Sequence, residues 1–195
     1  MIRTLVGGVG YADLRDFSVG PVVLDRLVKR EWPDGVALED LSYNPVAVVH
    51  RLQEEDPPFA RLVLIGAVER GRAPGALAAY RWDRFLPDGQ VVQERVAEAV
   101  TGVISLENLA IVVAALGAAP PEVYLVEVEP EVEALGSELG AAVAGAADEA
   151  ERLVREIVFA PPADALVPEA PLGGWTSTNG HPRTPLRSLP YDGCR

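Results

Sequence analysis

The sequence has little cysteine, little histidine and few aromatic residues. Its one cysteine, Cys194, lies next to the C-terminus and has no second cysteine for an internal disulfide, and two histidines are too few for a histidine-rich metal site. Aromatic residues make up 6% of the chain and hydrophobic residues 49%, so the core must consist mainly of Val, Leu, Ala and Ile. This composition favours an α/β protein of a reducing compartment, and we expect a cytoplasmic protein.

Basic residues and long apolar runs are also scarce. The chain has 17 Lys and Arg against 29 Asp and Glu, which gives a formal net charge of -12. This charge repels the phosphates of nucleic acids and of anionic lipid surfaces. The apolar start at residues 2–10 is too short to span a bilayer and lacks a small-residue cleavage site. The sequence therefore predicts no nucleic-acid partner, no membrane association and no export.

Short apolar runs alternate with segments of helical periodicity. Apolar runs bounded by glycine or turn residues are typical of buried parallel strands, and apolar positions at helical spacing indicate crossover helices. We expect strands at residues 2–10, 36–41, 61–65, 76–82 and 123–128, and helices at residues 19–28, 45–52, 105–116 and 135–157. The stretch between Trp82 and Gly102 fits either element. The alternation predicts a three-layer αβα fold with a mainly parallel twisted sheet flanked by helices.

The composition changes after Phe159, where seven prolines follow with little periodicity. Such a segment has few means of building a packed core. We therefore expect an α/β domain at residues 1–159 and an extended or disordered tail at residues 160–195.

Four local patterns follow one another along about four fifths of the chain. Residues 5–20 contain a strand, a glycine turn, acidic residues and a glycine at a helix start, and Asp40 ends the second strand. Residues 62–68 lead to a Pro-Gly turn at Pro74, and residues 126–130 precede the closing helix. In this order and spacing the patterns resemble the maturation endopeptidases that trim the C-terminus of nickel-iron hydrogenase large subunits.

The resemblance also implies a metal site, and the chain departs from the family there. In the family a carboxylate follows the first acidic residue, an aspartate ends the central strand, and a histidine lies near the start of the next helix. The matching positions here are Phe17, Gly66 and Ser105, which offer no carboxylate or imidazole. A first-row metal ion needs such donors to converge from separate elements. We therefore predict no metal and no cofactor at the family's position.

Three carboxylates remain as a candidate polar site, namely Asp16, Asp40 and Glu107. All three are expected near the C-terminal edge of the sheet, where open α/β folds bind their ligands. The competing interpretation is that Asp16 and Asp40 cap helices or accept backbone hydrogen bonds at turns. A further acidic run, at residues 127–133, is predicted to form a solvated rim.

Three functions are compatible with the sequence, and no catalytic residue is identified for any of them. The resemblance implies a degenerate maturation-protease-like protein that binds a nickel-iron hydrogenase large subunit or an assembly intermediate without cutting it. A second possibility is an active endopeptidase that uses a relocated set of carboxylates to trim the C-terminus of the large subunit. The third is a small-molecule or nucleotide-binding domain that uses the glycine turn at residues 7–10. The sequence alone therefore does not decide whether the chain is an enzyme.

Overall fold

The computed structural model describes residues 2–161 and 167–173. Within these residues the strands are β1 (Thr4–Val9), β2 (Val36–Asp40), β3 (Arg61–Ala67), β4 (Leu77–Trp82), β5 (Glu122–Val128) and β6 (Glu169–Ala170). The helices are α1 (Val19–Leu27), α2 (Pro45–Gln53), α3 (Gly89–Thr101), α4 (Leu106–Ala115) and α5 (Ala141–Phe159).

The strands form one sheet in the order β2-β1-β3-β5-β4-β6. Strands β2, β1, β3 and β5 are parallel to their neighbours in this order. Strand β4 runs antiparallel to β5, and β6 runs parallel to β4. The parallel strands therefore all end at one edge of the sheet. The loops after β1, β2, β3 and β5 meet there, and Asp16 and Phe17 lie in the first of them.

Each face of the sheet carries its own apolar core because successive strand residues point to opposite faces. In β3, Leu62 and Leu64 pack on the side of α2, α3 and α4, whereas Val63 and Ile65 pack on the side of α1 and α5. All four side chains are at most 1% exposed. The predicted three-layer α/β fold is thus confirmed.

The predicted strands are all present, with bounds that differ by at most two residues. The undecided stretch contains α3, where the Asp88 side chain accepts from the N–H groups of Gln90 and Val91 and Gly102 ends the helix at φ +88°. The predicted helix at residues 135–157 was wrong at its start. That segment is a loop up to Gly140, with Leu135 90% exposed, and α5 begins at Ala141.

The predicted tail, residues 160–195, lies mostly outside the described residues, so the boundary after residue 159 stays a prediction. Its described part returns to the sheet, where β6 pairs with β4. Leu172 is 5% exposed and belongs to the core on the α4 side.

Among the described residues, no single helix is both long and apolar enough to cross a bilayer. Helices α3 and α4 together have the required length and apolar character, but they are bent by 112° at the break between them.

Candidate functional site

Asp16 lies just after β1, in a short 3-10 turn at Arg15–Ser18, and its side chain is fully buried. Its Oδ2 atom accepts hydrogen bonds from the N–H groups of Glu131 and Val132, both at 2.9 Å. Its Oδ1 atom accepts from the N–H of Gly140 at 2.6 Å. Asp16 therefore fastens the loop after β5 to the end of β1.

The electrostatics of Asp16 fit this role. Burial raises the pKa of its carboxyl group, but the three backbone N–H donors and the nearby Arg15 guanidinium outweigh burial, so the pKa lies below its ordinary value. The carboxylate is therefore ionised at neutral pH, and both of its oxygens accept hydrogen bonds from the chain.

Asp16→Asn should lower the free energy of unfolding at pH 7 by about 2 kcal/mol, because charge-assisted hydrogen bonds to a buried carboxylate contribute about that much. Since the folded pKa is depressed, this stabilisation is complete above the unfolded-state pKa of 3.8 and is lost as pH falls through the folded value. Denaturant unfolding between pH 2 and pH 7 measures it.

The matched control is Asp148→Asn, because Asp148 forms a surface ion pair with Arg26 and its side chain is 83% exposed. It should leave the stability nearly unchanged, since exposed pairs contribute little. An Asp16→Asn variant with wild-type stability and the wild-type acid transition would contradict the role assigned to Asp16.

Asp40, the second candidate, lies exposed at the end of β2. Its Oδ1 atom accepts from the N–H of Ser42 at 2.9 Å, and the Ser42 hydroxyl in turn accepts from the N–H of Gly10 at 3.1 Å. Asp40 thus shapes the turn that lies beside the end of β1. Within the described part of the chain, no group of three His, Cys, Asp or Glu side chains is arranged to hold a metal ion.

The three positions matched to metal ligands serve packing and capping in this chain. At Gly66, the second-last residue of the central strand β3, an added Cβ would lie 2.7 Å from the Val9 carbonyl oxygen and 3.2 Å from the Leu106 Cβ. The Ser105 side chain caps α4 by accepting from the N–H of Asn108 at 3.1 Å. Phe17 is half-buried in the turn after β1. These three residues do not fit a metal ion, because they offer no carboxylate or imidazole and position 66 has no room for one.

The glycine turn after β1 is filled by the chain itself. A Cβ at Gly10 would lie 2.2 Å from the Phe17 carbonyl oxygen, and a Cβ at Gly8 would lie 2.7 Å from the Gly20 carbonyl oxygen. A Cβ at Gly20 would lie 2.3 Å from the Val9 carbonyl oxygen. The glycines therefore let α1 pack closely against β1, and the space beside them is not available to a pyrophosphate.

A group of charged side chains that sequence reasoning missed lies beside the start of α4. We call it the buried ion cluster, and it consists of Arg70, Arg72, Glu127 and Glu129. Glu127 is fully buried, and its two carboxylate oxygens lie 2.8 Å from Nη2 of Arg70 and 2.8 Å from Nη2 of Arg72. Glu129 accepts from the N–H of Arg70 at 2.9 Å and from Nε of Arg72 at 3.2 Å. The predicted solvated rim is therefore wrong for both glutamates, because the loop after β3 brings two arginines over them.

The cluster extends to Tyr80 and to Glu107, the third candidate residue. The Tyr80 hydroxyl donates to Glu127 at 2.7 Å, and Nη1 of Arg70 lies 3.4 Å from Oε1 of Glu107. Burial raises the pKa of Tyr80 and the charge of Glu127 raises it further, so the hydroxyl stays protonated at neutral pH. Burial lowers the pKa of Arg70, but its contacts with Glu127 outweigh burial, so the guanidinium stays charged. Glu107 thus faces an internal cation.

Among the described residues, then, the three candidate carboxylates do not form one site. Asp16 binds backbone N–H groups, Asp40 binds within its own turn, and Glu107 pairs with Arg70. A local signal for Arg70 and Arg72 exists, since two arginines closely follow the central strand. Their partners Glu127 and Glu129, however, are more than 50 residues away in the chain.

The fold matches several solved hydrogenase maturation proteases. The hydrogenase 2 maturation peptidase from Thaumarchaeota archaeon SCGC_AB-539-E09 is 26% identical, with a TM-score of 0.58 over 80% of this chain and 98% of that chain. The hydrogenase maturating endopeptidase HybD from E. coli is 24% identical, with a TM-score of 0.58 over 78% and 90%. The [NiFe] hydrogenase maturation protease HybD from Thermococcus kodakarensis is 16% identical, with a TM-score of 0.57 over 80% and 99%. No protein-family profile and no curated protein sequence matches the chain.

Proposed function

We propose that the chain is a degenerate member of the family of hydrogenase maturation endopeptidases, whose solved structures are similar to it in fold. In this proposal it binds a nickel-iron hydrogenase large subunit, or an assembly intermediate of one, in the cytoplasm during maturation. It does not cut this partner, and it holds no metal ion of its own.

The observation that carries the proposal is the packing around Gly66. A carboxylate at this position would need its Cβ only 2.7 Å from the backbone oxygen of Val9, with Leu106 closing the other side. The packing of β1, β3 and α4 therefore leaves no space for a metal-binding side chain at position 66. In this proposal, the missing ligand is not a single substitution for which water or a neighbouring side chain compensates. Ser105 supports the same conclusion, because its hydroxyl is engaged in capping α4.

The geometry gives less support to an active endopeptidase with relocated carboxylates. Such a site needs Asp16, Asp40 and Glu107 to converge with oxygens open to a ligand. Asp16 already accepts three backbone hydrogen bonds, and Glu107 faces Arg70. A nucleotide-binding function is also less supported, because the chain's own backbone fills the space beside Gly8 and Gly10.

Binding of the full-length chain to a precursor of the large subunit tests the proposal. We expect a complex whose affinity changes less than about threefold between nickel-loaded and nickel-free precursor, because Phe17, Gly66 and Ser105 supply no carboxylate or imidazole at the family's ligand positions. The measurement is a surface-immobilised binding titration, with the mature large subunit as the comparison. A maturation protease that retains its carboxylate and histidine ligands is the control. Failure to bind either form of the precursor would reject the proposal, and a strong dependence on nickel would favour an active metal-recognising protease.

A further inference from the structure

Residues 167–173, which we call the C-terminal strap, close the edge of the sheet beside β4. The N–H of Arg81 donates to the carbonyl oxygen of Pro168 at 3.0 Å, and the N–H of Asp83 donates to that of Ala170 at 3.2 Å. A strand edge with unpaired N–H groups is a template on which another extended segment can pair. In this structure the carbonyl oxygens of the strap accept hydrogen bonds from N–H groups along this edge.

Apolar side chains anchor the strap, with Val167 and Ala170 partly buried against the cores and Leu172 buried. Leu172 is 5% exposed and belongs to the same apolar core as Tyr80 and Trp82 of β4. The next residue, Gly173, adopts φ +76°, and an added Cβ there would lie 3.3 Å from Nη1 of Arg70. The strap therefore ends beside Arg70 of the buried ion cluster.

The attachment of the strap is slight for its length. Strand β6 pairs with β4 over only two residues, and Pro168, Glu169 and Pro171 are exposed. This short pairing and one buried leucine must offset the conformational entropy of seven ordered residues. Burial raises the pKa of Asp83, and the carboxylate of Glu169 in the strap raises it further, so the two acidic groups repel each other when ionised. Segments with so few contacts open locally without unfolding the rest of a protein.

We propose that the edge of β4 is a peptide-binding edge, filled by the strap in the free chain and by an extended segment of a protein partner in the complex. The segment that fits has two main-chain carbonyls two residues apart and an aliphatic side chain two residues after the second carbonyl. Such strand addition takes its affinity from main-chain hydrogen bonds and its specificity from side-chain pockets. The proposal goes beyond the proposed function, since it does not depend on which protein supplies the segment.

A synthetic peptide tests the proposal without any hydrogenase component. The probe is a labelled, end-blocked peptide with the sequence of residues 167–173, titrated against the full-length wild type and against full-length Leu172→Asp. The variant releases the strap, because a carboxylate cannot enter the apolar core without a partner. We expect the variant to bind the probe at least about tenfold more tightly than the wild type, since its edge is open more often. Hydrogen exchange at the N–H groups of Arg81 and Asp83 should be fast in the variant and slow again with bound peptide.

The control peptide has aspartate in place of its leucine and should not bind. A second full-length variant, Gly173→Val, frees the strap from its other end, because φ +76° is strained for valine and the added side chain meets Arg70. Equal binding of the probe to the wild type and to both variants, or binding to none of them, would overturn the proposal. So would complete unfolding of both variants, because the strap would then be an indispensable part of the core.

Discussion

Arg70→Met is expected to lower the free energy of unfolding by about 3–5 kcal/mol, because it leaves the fully buried Glu127 carboxylate without one of its two guanidinium partners. Taking a charge out of water is costly, and only close opposite charges and hydrogen bonds offset that cost. The Tyr80 hydroxyl and Arg72 remain beside Glu127, so the loss should be large without abolishing folding. Chemical denaturation at pH 7, followed by circular dichroism, measures it.

The matched control is Arg26→Met, which removes a guanidinium from the surface pair with Asp148. Exposed pairs contribute at most about 1 kcal/mol, so the same side-chain exchange should have a small effect there. If the two variants lose equal stability, the buried ion cluster does not have the structural role assigned to it.

Gly66→Ala is expected to lower the free energy of unfolding by about 2–3 kcal/mol, because its new Cβ would lie 2.7 Å from a backbone oxygen that cannot easily move. Gly66→Asp, which restores the carboxylate of the family pattern, should be less stable still, since it adds a buried charge. We expect calorimetry with Ni(II) to show no binding by any Gly66→Asp protein that folds.

Gly145→Ala is the matched control, since Gly145 lies inside α5 and an added Cβ there meets nothing within 4 Å. In a helix interior this exchange stabilises by about 0.5–1 kcal/mol, so the same mutation should have the opposite sign at the two positions. A Gly66→Asp variant with wild-type stability and micromolar affinity for Ni(II) would show that the position is not sealed by packing.

The fold was largely predictable because its signal is local. The apolar run at residues 61–65 and the Pro45 helix start are read from neighbouring residues, and both elements are present. Helix α3 could not be predicted because its apolar stripe is weak, and only Ala99 on it is fully buried. The start of α5 was misplaced because the helical spacing of apolar residues continues into the loop that Asp16 holds.

The candidate site was less predictable, because its chemistry depends on contacts between distant segments. Phe17, Gly66 and Ser105 were identified by resemblance, but the space around Gly66 depends on Leu106, which lies 40 residues later in the chain. The burial of Glu127 depends on the arginines of the loop after β3. When the arginine partners are unknown, a run of glutamates is interpreted as a solvated surface.

The central claim is that this chain binds its partner without cutting it. The most direct test is the intact mass of a nickel-loaded precursor of the large subunit after incubation with the full-length chain, with a ligand-complete maturation protease run in parallel. We predict that the precursor keeps its full mass while it co-elutes with this chain, whereas the control enzyme removes a C-terminal peptide. Specific loss of that peptide with the wild type, abolished by Asp40→Ala, would contradict the account and establish an active endopeptidase.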